Sequence, residues 1–318
     1  RVHSFHDGCA IGLTAHANRV TFRAIMHSGN LESCTMASDT FLASFGLIGL
    51  RLIELHGIDP QRFAQQVGIA SIEIPDARTR LPSSLLDLAF EKAISLIPDP
   101  VFALRSAECW HPSNLGTLGY AWLSSGSLRT ALRRIARYSR IIGQRMSANC
   151  KEDDHGLHFM FDHGRGDTVI GWVIADYTLA LIVDMCRTNF GPALTLESIS
   201  LRRPLPENPA PYEDFFCCPV CFGAAIDGFV LARHIADRSL STSNHELATT
   251  FDAILTEQLA EVSSSDLVHR CRAHLLQELT SGEPSEEELA KALGMSRRTL
   301  QRKLGDLGLT YKGVLEKT

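Results

Sequence analysis

The sequence predicts an α+β fold, in which a helix-rich mixed domain is followed by an all-helical helix–turn–helix module. Three patterns carry this prediction. Apolar residues recur with a helical period over residues 128–142, they alternate with a period of two at Leu157, Phe159 and Phe161, and two short capped helices occupy residues 285–307. With 318 residues, 45% of them hydrophobic, the chain is long enough for two domains with buried cores.

In chain order, the larger domain begins with helices, and strands appear only in its second half. Helix starts at Pro60 and Pro82 and a stop at Gly191-Pro192 bound several of the helical segments. The predicted helices span residues 41–55, 60–67, 82–97, 101–108, 118–123, 128–142 and 169–190. The predicted strands cover residues 157–161 and 196–201, and residues 222–226 and 229–231 are expected to form a hairpin across Asp227-Gly228.

Composition divides the chain into four parts. Residues 1–35 show no clear period and precede Met36, so we expect a disordered extension outside the fold, with an ordered arm as the alternative. A Ser- and Thr-rich stretch at 238–244 marks a domain boundary. The resulting assignment is residues 36–240 for the larger domain, 241–262 for a linker helix, and 263–318 for the helical module, whose helix 267–279 is capped by residues 263–266.

Two short helices near the C-terminus carry complete capping signals. Ser285 and Glu288 have capping-box spacing, and Gly294 suits the left-handed conformation that ends a helix. Ser296 then caps a second helix that extends to residue 307. Its inward face is expected to hold Leu300, Leu304 and Leu307, and its outward face Arg297, Arg298, Gln301 and Arg302.

The basic outer face of this helix has two interpretations, because such a face is often only solvated but can also contact DNA. Arg and Gln can contact guanine and adenine edges bidentately in a major groove. Residues 289–318 hold seven Lys or Arg against two acids, a local net charge of +5 on a chain of −5. A basic terminal module on an acidic body is typical of a protein that binds phosphate, and therefore favours DNA binding.

The same residues resemble a known family. Residues 289–304, followed by Gly308-Leu309-Thr310-Tyr311, look like the first helix–turn–helix of AraC/XylS-type transcription regulators. Residues 115–120, 128–134 and 212–224 resemble the arabinose-binding-like sensor domain that some of these regulators carry. The likeness covers roughly residues 38–318 and implies a ligand-responsive regulator that reads DNA with the helix 296–307.

The resemblance also assigns roles to individual side chains of that helix. Arg298, Gln301 and Arg302 are expected to contact base edges, whereas Arg297 and Lys303 are expected to hold phosphates. Ser296, which caps the helix, completes the predicted DNA-binding set.

Members of the family have two helix–turn–helix units joined by a long helix. Here a helix of that kind is expected to begin near Thr310, and the chain ends at Thr318. The expectation is therefore a partial DNA-binding domain that needs a second unit for tight binding to double-stranded DNA. The alternative is a small-molecule-sensing or dimerisation protein that has lost DNA binding through truncation, and a homodimer is compatible with both.

The resemblance implies a small-molecule effector without identifying it; amino acids, sugars and fatty acids remain open. An effector is expected in a mostly apolar pocket between the helices and the short sheet. Trp122, Phe159 and Trp172 are candidate effector contacts, and their alternative role is that of ordinary core aromatics.

Other polar clusters were weighed as sites. Five arginines between residues 129 and 140 form either an anion-binding stripe or a solvated helix face. Cys217, Cys218 and Cys221 are expected to be buried strand cysteines rather than zinc ligands, and His155, His158 and His163 surface or loop residues. We expect no metal and no cofactor.

Enzyme and membrane classes find little support in the sequence. It contains no Gly-rich phosphate loop, no His-Glu-x-x-His pair and no nucleophile elbow, and Cys109-Trp110-His111 is a weak candidate for a thiol–base pair. Residues 41–55, the most apolar run, are interrupted by Arg51 and Glu54. Nine cysteines without a secretory signal favour reduced thiols and a cytoplasmic protein.

Overall fold

The computed structural model of the chain describes residues 39–69, 78–278 and 284–316. Its helices are α1 Ala43–Leu55, α2 Pro60–Gln66, α3 Ser83–Leu96, α4 Thr117–Leu123, α5 Leu128–Ile142, α6 Val169–Phe190, α7 Ala210–Phe216, α8 Arg233–Asp237, α9 His245–Glu278, α10 Glu286–Ala292, α11 Arg297–Asp306 and α12 Tyr311–Leu315. The strands are β1 Thr40–Leu42, β2 Arg80–Pro82, β3 Ser147–Asp153, β4 Gly156–Asp162, β5 Ser198–Leu201, β6 Val220–Phe222 and β7 Asp227–Leu231. The predicted α+β class is confirmed. The predicted extension at residues 1–35 lies outside the described residues.

Two sheets organise the larger domain. Strands β1 and β2 form a small antiparallel pair, and the main sheet has the order β3-β4-β7-β5-β6. Neighbours in the main sheet are antiparallel except β5 and β6, which run parallel. Phe159 of β4 lies opposite Phe229 of β7, and their rings stack with centroids 5.2 Å apart. This cross-strand aromatic pair anchors the sheet to the core.

The predicted hairpin across Asp227-Gly228 is wrong. Both residues lie inside β7, which pairs with β4 and β5, whereas β6 pairs with β5. Asp227 is buried and its Oδ1 accepts the backbone N–H of Arg202 at 2.8 Å. A Cβ at Gly228 would lie 2.2 Å from the carbonyl oxygen of Phe159. The Asp-Gly pair therefore serves strand packing, where close backbone approach excludes a side chain, and not a tight turn.

Helix α6 runs through the core of the larger domain. Thr168 caps its start, where its side chain accepts the N–H of Gly171, and it ends before Gly191, as predicted. By length and composition α6 could cross a membrane, but 78% of its most apolar 18-residue window is buried inside the protein. Such burial is typical of a core helix of a globular domain.

Three predicted helical segments differ from the helices and strands of the structure. Residues 41–42 belong to β1 rather than to α1, because they pair with β2. Phe102–Glu108 is a 3₁₀ helix. Residues 263–266, predicted to cap a new helix, continue α9 without a break. The predicted helices at residues 60–67, 82–97, 118–123 and 128–142 are confirmed within a residue or two.

Helix α9 is continuous because its two halves pack on two different cores. Leu255 of the first half joins the core of the larger domain. Leu267, Cys271 and Leu275 of the second half join the core of the helix–turn–helix module. A single continuous helix thus connects both domains, and the segment predicted as a linker is packed along part of its length.

The first half of α9 is fastened to α5 by polar contacts. The Arg134 guanidinium donates two hydrogen bonds to the carboxylate of Asp252, at 2.9 and 2.8 Å. The Tyr138 hydroxyl lies 3.1 Å from the hydroxyl of Thr256. Bidentate arginine–carboxylate pairs are geometrically specific, so this contact fixes the rotation of α9 on the larger domain.

One side-chain prediction in the larger domain is also wrong, and another holds only in part. Cys217 and Cys221 are exposed and Cys218 is half-buried, because Cys217 ends α7 in the left-handed conformation and turns the chain outward. His163 lies in the loop after β4, which fits the prediction, but its side chain is fully buried, and burial lowers its pKa to about 4. Within the described ranges, no group of three or more His, Cys, Asp or Glu side chains is arranged to hold a metal ion.

Candidate nucleic-acid interface

Helix α10 begins with the capping box that the sequence predicts. The Ser285 hydroxyl accepts the backbone N–H of Glu288, and the Glu288 carboxylate accepts the N–H of Ser285 at 2.7 Å. The backbone N–H of Ser285 holds the pKa of Glu288 below its usual range. The helix ends at Ala292, and Gly294, two residues later, turns the chain with a φ of +70° in the left-handed region. The local sequence therefore fixes where the first helix starts and stops.

Helix α11 is held by its predicted cap and its predicted leucines. The Ser296 hydroxyl accepts the N–H of Thr299 at 3.2 Å. Leu300 and Leu304 are 0% and 1% exposed, and Leu307 is half-buried just after the helix. These leucines pack against α9, α10 and α12 in the second core. Because one face is buried, the opposite face of α11 has a fixed orientation towards solvent.

That outer face is basic. Arg297, Arg298, Gln301, Arg302 and Lys303 are all exposed. Among the described residues, no carboxylate pairs with Arg298, Arg302 or Lys303. We call these five residues together with Ser296 the α11 face. Three of its cations are thus available to phosphates or to base edges.

Glu286 of α10 contacts two members of the α11 face, which the sequence analysis missed. Its Oε2 accepts hydrogen bonds from Arg297 Nε at 2.7 Å and from Gln301 Nε2 at 2.8 Å. Glu286 also lies in the first turn of α10, where a carboxylate stabilises the helix dipole. Its contacts with residues 11 and 15 positions away depend on how the two helices cross, which sequence spacing does not specify.

The short helix after the pair closes the module. Thr310 caps α12 by accepting the N–H of Gly313 at 3.1 Å, so the helix start expected near Thr310 is confirmed. The Tyr311 hydroxyl donates to the carbonyl of Pro284, and Val314 is buried in the second core. Helices α9 and α12 therefore support α10 and α11 from behind.

The arginines of α5 are arranged differently. Arg129 pairs with Asp237 and Glu152, Arg133 pairs with Glu152, and Arg134 pairs with Asp252. Arg137 lies over the ring of Tyr138, 5.1 Å from its centroid. Acids of the same chain thus neutralise Arg129, Arg133 and Arg134, so three of the five arginines in this stripe already have a carboxylate partner.

The three aromatic residues predicted as effector contacts lie in the larger domain. Trp122 and Phe159 are 0% and 1% exposed and belong to its core, and Trp172 is half-buried on α6. None of the three lines the cavity of about 450 Å³ that lies between α9 and the body of the larger domain. Core packing therefore accounts for Trp122 and Phe159.

The family model of the arabinose-binding N-terminal domain of AraC transcription regulators matches residues 57–240. The HTH-type transcriptional regulator VqsM of Pseudomonas aeruginosa is 27% identical over 228 residues, 67% of this chain and 68% of that protein. The HTH-type transcriptional regulator VirS of Mycobacterium tuberculosis is 24% identical over 268 residues, 82% of this chain and 77% of VirS.

A solved structure agrees with the fold. The transcriptional regulator CdpR of Pseudomonas aeruginosa superimposes with a TM-score of 0.53 at 21% identity, over 86% of this chain and 82% of CdpR. The family match covers more than half of the chain and lies in the larger domain, while the capped helix pair follows it in sequence. The chain belongs to the AraC transcription regulators that carry an arabinose-binding N-terminal domain, and it is a ligand-responsive transcription regulator.

Proposed function

We propose that this regulator binds double-stranded DNA through the α11 face, which enters a major groove. The supporting observation is the burial of Leu300 and Leu304 beneath exposed cations, three of which have no carboxylate partner among the described residues. Arg298, Gln301 and Arg302 contact base edges, because arginine and glutamine recognise guanine and adenine bidentately. Arg297 and Lys303 hold phosphates, and Ser296 positions the start of the helix.

Glu286 has to change partners for this arrangement to form. Its carboxylate holds Arg297 and Gln301 in the DNA-free protein. A phosphate can replace Glu286 on Arg297, and a base edge can replace it on Gln301. The exchange conserves hydrogen bonds, so its energetic cost is modest.

The family resemblance implies two helix–turn–helix units per protein, each of which contacts one segment of the DNA groove. We therefore expect residues 1–318 to bind DNA weakly, and binding is best measured at about 50 mM salt, where phosphate contacts contribute most. A homodimer would bring two α11 faces onto one duplex and strengthen binding.

The test begins with selection of preferred duplexes from a random library by the chain as it stands. Fluorescence anisotropy then compares Arg302→Ala with the wild type on the selected duplex and on its single-base variants. We expect a loss of about 1–3 kcal/mol and relaxed preference at one base pair. Lys303→Ala should weaken binding to all duplexes evenly and reduce the salt slope by about one.

The base-edge assignment is wrong if Arg302→Ala discriminates among the duplex variants as the wild type does. If selection yields no preferred duplex even at low salt, the second candidate function gains support: a sensing or dimerisation protein without DNA binding. Sedimentation of the chain with and without duplex separates these outcomes, because only a DNA-binding protein co-sediments with the duplex.

A further inference from the structure

A cavity of about 450 Å³ lies where α9 crosses the larger domain. Leu42, Leu115 and Ile141 line it from the domain body, and Ile254 and Val262 line it from α9. Small-molecule sites typically have volumes of about 300–1,000 Å³, are mostly apolar and contain a few polar groups. Size and lining both fit a small molecule that contacts the domain body and α9 at once.

One polar group in this wall stands out. Arg80 of β2 donates to the Thr40 hydroxyl at 2.7 Å and to the Ile141 carbonyl at 2.6 Å, and a third hydrogen bond reaches the Thr40 carbonyl at 3.1 Å. Within the part of the chain that the structure describes, no carboxylate lies within ion-pair distance of Arg80. A guanidinium has five N–H donors, so two of them remain for another acceptor.

An unpaired, partly buried guanidinium is costly, because burial removes water without supplying an opposite charge. Burial accordingly lowers the pKa of Arg80 to about 10. The three neutral oxygens fix its orientation but do not neutralise it. An anion that enters from the cavity would supply the opposite charge.

The other charges at the cavity largely cancel. Arg78 pairs with Glu261 of α9 at 3.3 Å, and both side chains are about half exposed at the rim. Thr117 and Gln258, which also line the cavity, are neutral and hydrogen-bond to each other at 3.3 Å. The wall therefore carries one net positive charge, which matches a ligand with a single negative charge.

We propose that this cavity binds the effector and that the effector is a monocarboxylate with an apolar body. The carboxylate accepts hydrogen bonds from Arg80, and the apolar body packs between Leu115 and Ile141 on one side and Ile254 and Val262 on the other. This inference rests on the proposed function for the meaning of "effector", but the binding itself does not depend on DNA.

The position of the cavity suggests how the signal passes. The first half of α9 forms one wall, and the same helix supplies Leu267, Cys271 and Leu275 to the helix–turn–helix core. A ligand that bridges α9 and the domain body restrains a helix that also supports α11. Binding energy at the cavity can thereby bias the module, provided that the ligand binds one arrangement of α9 more tightly.

The larger domain contains smaller cavities, but these are less suitable. The one beneath α1 and α3, lined by Phe41, Phe63 and Tyr177 among others, has a volume of about 50 Å³. That volume accommodates a water molecule or two and not an effector. It also touches no residue of α9, so its filling would not act directly on the connecting helix.

The test uses probes that share one apolar tail and differ in the head group: octanoate, 1-octanol and octylammonium. Isothermal titration calorimetry with the full chain should give the tightest binding for octanoate, at least roughly tenfold weaker binding for octanol, and none for octylammonium. 3-Phenylpropanoate serves as a second monocarboxylate with a different body. Hydrogen exchange should show slower exchange of α9 amides when octanoate binds.

Arg80→Met should weaken octanoate to the level of octanol and leave octanol unchanged, whereas Arg80→Lys should be intermediate because it keeps the charge and loses the planar fork. Arg105→Met is the matched control, since Arg105 is exposed, pairs with Glu108 and does not line the cavity. Ile254→Trp fills the cavity from α9 without touching Arg80. If Arg80→Met fails to fold, the loss of octanoate binding in Ile254→Trp tests the cavity instead.

The proposal is overturned if neither carboxylate binds the wild type, or if octanoate and octanol bind equally. It is also overturned if a folded Arg80→Met or Ile254→Trp variant keeps wild-type affinity for octanoate. The proposed function fails separately: an Arg302→Ala variant that binds DNA as the wild type does would refute the α11 face, whatever the octanoate result.

Discussion

Two helices of this protein are rich in arginine, and the structure places them in different settings. In α5, Arg129, Arg133 and Arg134 are matched by carboxylates from other parts of the larger domain and from α9. In α11, Arg298 and Arg302 are exposed and have no carboxylate partner among the described residues. Similar residue patterns therefore serve cohesion in one helix and leave cations available for a partner in the other.

The difference arises from residues that are remote in sequence. Asp237 and Asp252 lie more than one hundred positions after the α5 arginines they contact. Helical periodicity alone indicates only that a face is basic, because it carries no information about which acids the fold brings opposite. The availability of a cation is thus a property of the tertiary structure.

The largest expected loss of stability follows from removing a buried leucine of α11. Leu300→Ala removes a fully buried side chain from the second core and should destabilise the helix–turn–helix module by about 2–5 kcal/mol. Because the larger domain has its own core, its unfolding transition should stay in place. Circular dichroism and hydrogen exchange measure the two separately; equal shifts of both transitions would contradict independent cores.

The next effect is the pH dependence of the larger domain. Burial lowers the pKa of His163 to about 4, below the value of about 6.5 in an unfolded chain. The unfolded state therefore binds more protons in this window, so the stability that His163 contributes is present above pH 6.5 and is lost as pH falls towards 4. The expected loss between pH 7 and pH 4 is about 3 kcal/mol.

Asp176 titrates in the opposite sense, because burial raises its pKa to about 7, so the comparison must isolate the histidine. Urea unfolding of the wild type and of His163→Gln at pH 4, 5.5 and 7 achieves this. The difference between the two should shrink as the pH falls. A constant difference would mean that His163 does not titrate in this range.

Removing a carboxylate that pairs with an arginine of α5 should lower the stability of the protein by a smaller amount. Asp252→Asn leaves the partly buried Arg134 without its carboxylate and should lower stability by about 1–2 kcal/mol. The measurement to compare with it is Arg302→Ala, which should change stability by less than about 0.5 kcal/mol, because Arg302 is exposed and no described carboxylate pairs with it. Equal losses in thermal unfolding would remove the distinction between the two helices.

The smallest effect is expected at Glu286. Glu286→Gln weakens two exposed contacts and a helix-dipole interaction, so stability should fall by about 0.5–1 kcal/mol or less. DNA affinity should rise, because Arg297 and Gln301 are released and a negative charge near the phosphates is lost. Glu287→Gln, in the same first turn of α10, is the matched control. Reduced affinity specific to Glu286→Gln would mean that this carboxylate helps to form the interface.

Features that depend on residues close together in the sequence could be predicted from it. The caps at Ser285 and Ser296, the turn at Gly294 and the burial of Leu300 were predictable, because each depends on neighbours within four residues. The same holds for α6, which lies between a capping Thr and a terminating Gly.

Features that depend on distant segments were not predictable. Asp227-Gly228 has the composition of a tight turn but lies within a strand, since the sheet order decides its role. The charge of Arg80 could not be foreseen, because it depends on which side chains the fold places next to the guanidinium. The cavity beside α9 could not be foreseen either, because it depends on how α9 packs on the larger domain.

The central claim is that the α11 face, unlike the basic face of α5, contacts DNA. The most direct measurement is the affinity of two double variants for a duplex selected by the wild type, Arg298→Ala/Arg302→Ala in α11 and Arg133→Ala/Arg137→Ala in α5. The account predicts that the α11 variant loses about 2–6 kcal/mol of binding energy and that the α5 variant binds as the wild type does. Equal losses in the two variants, or unchanged binding by the α11 variant, would contradict it.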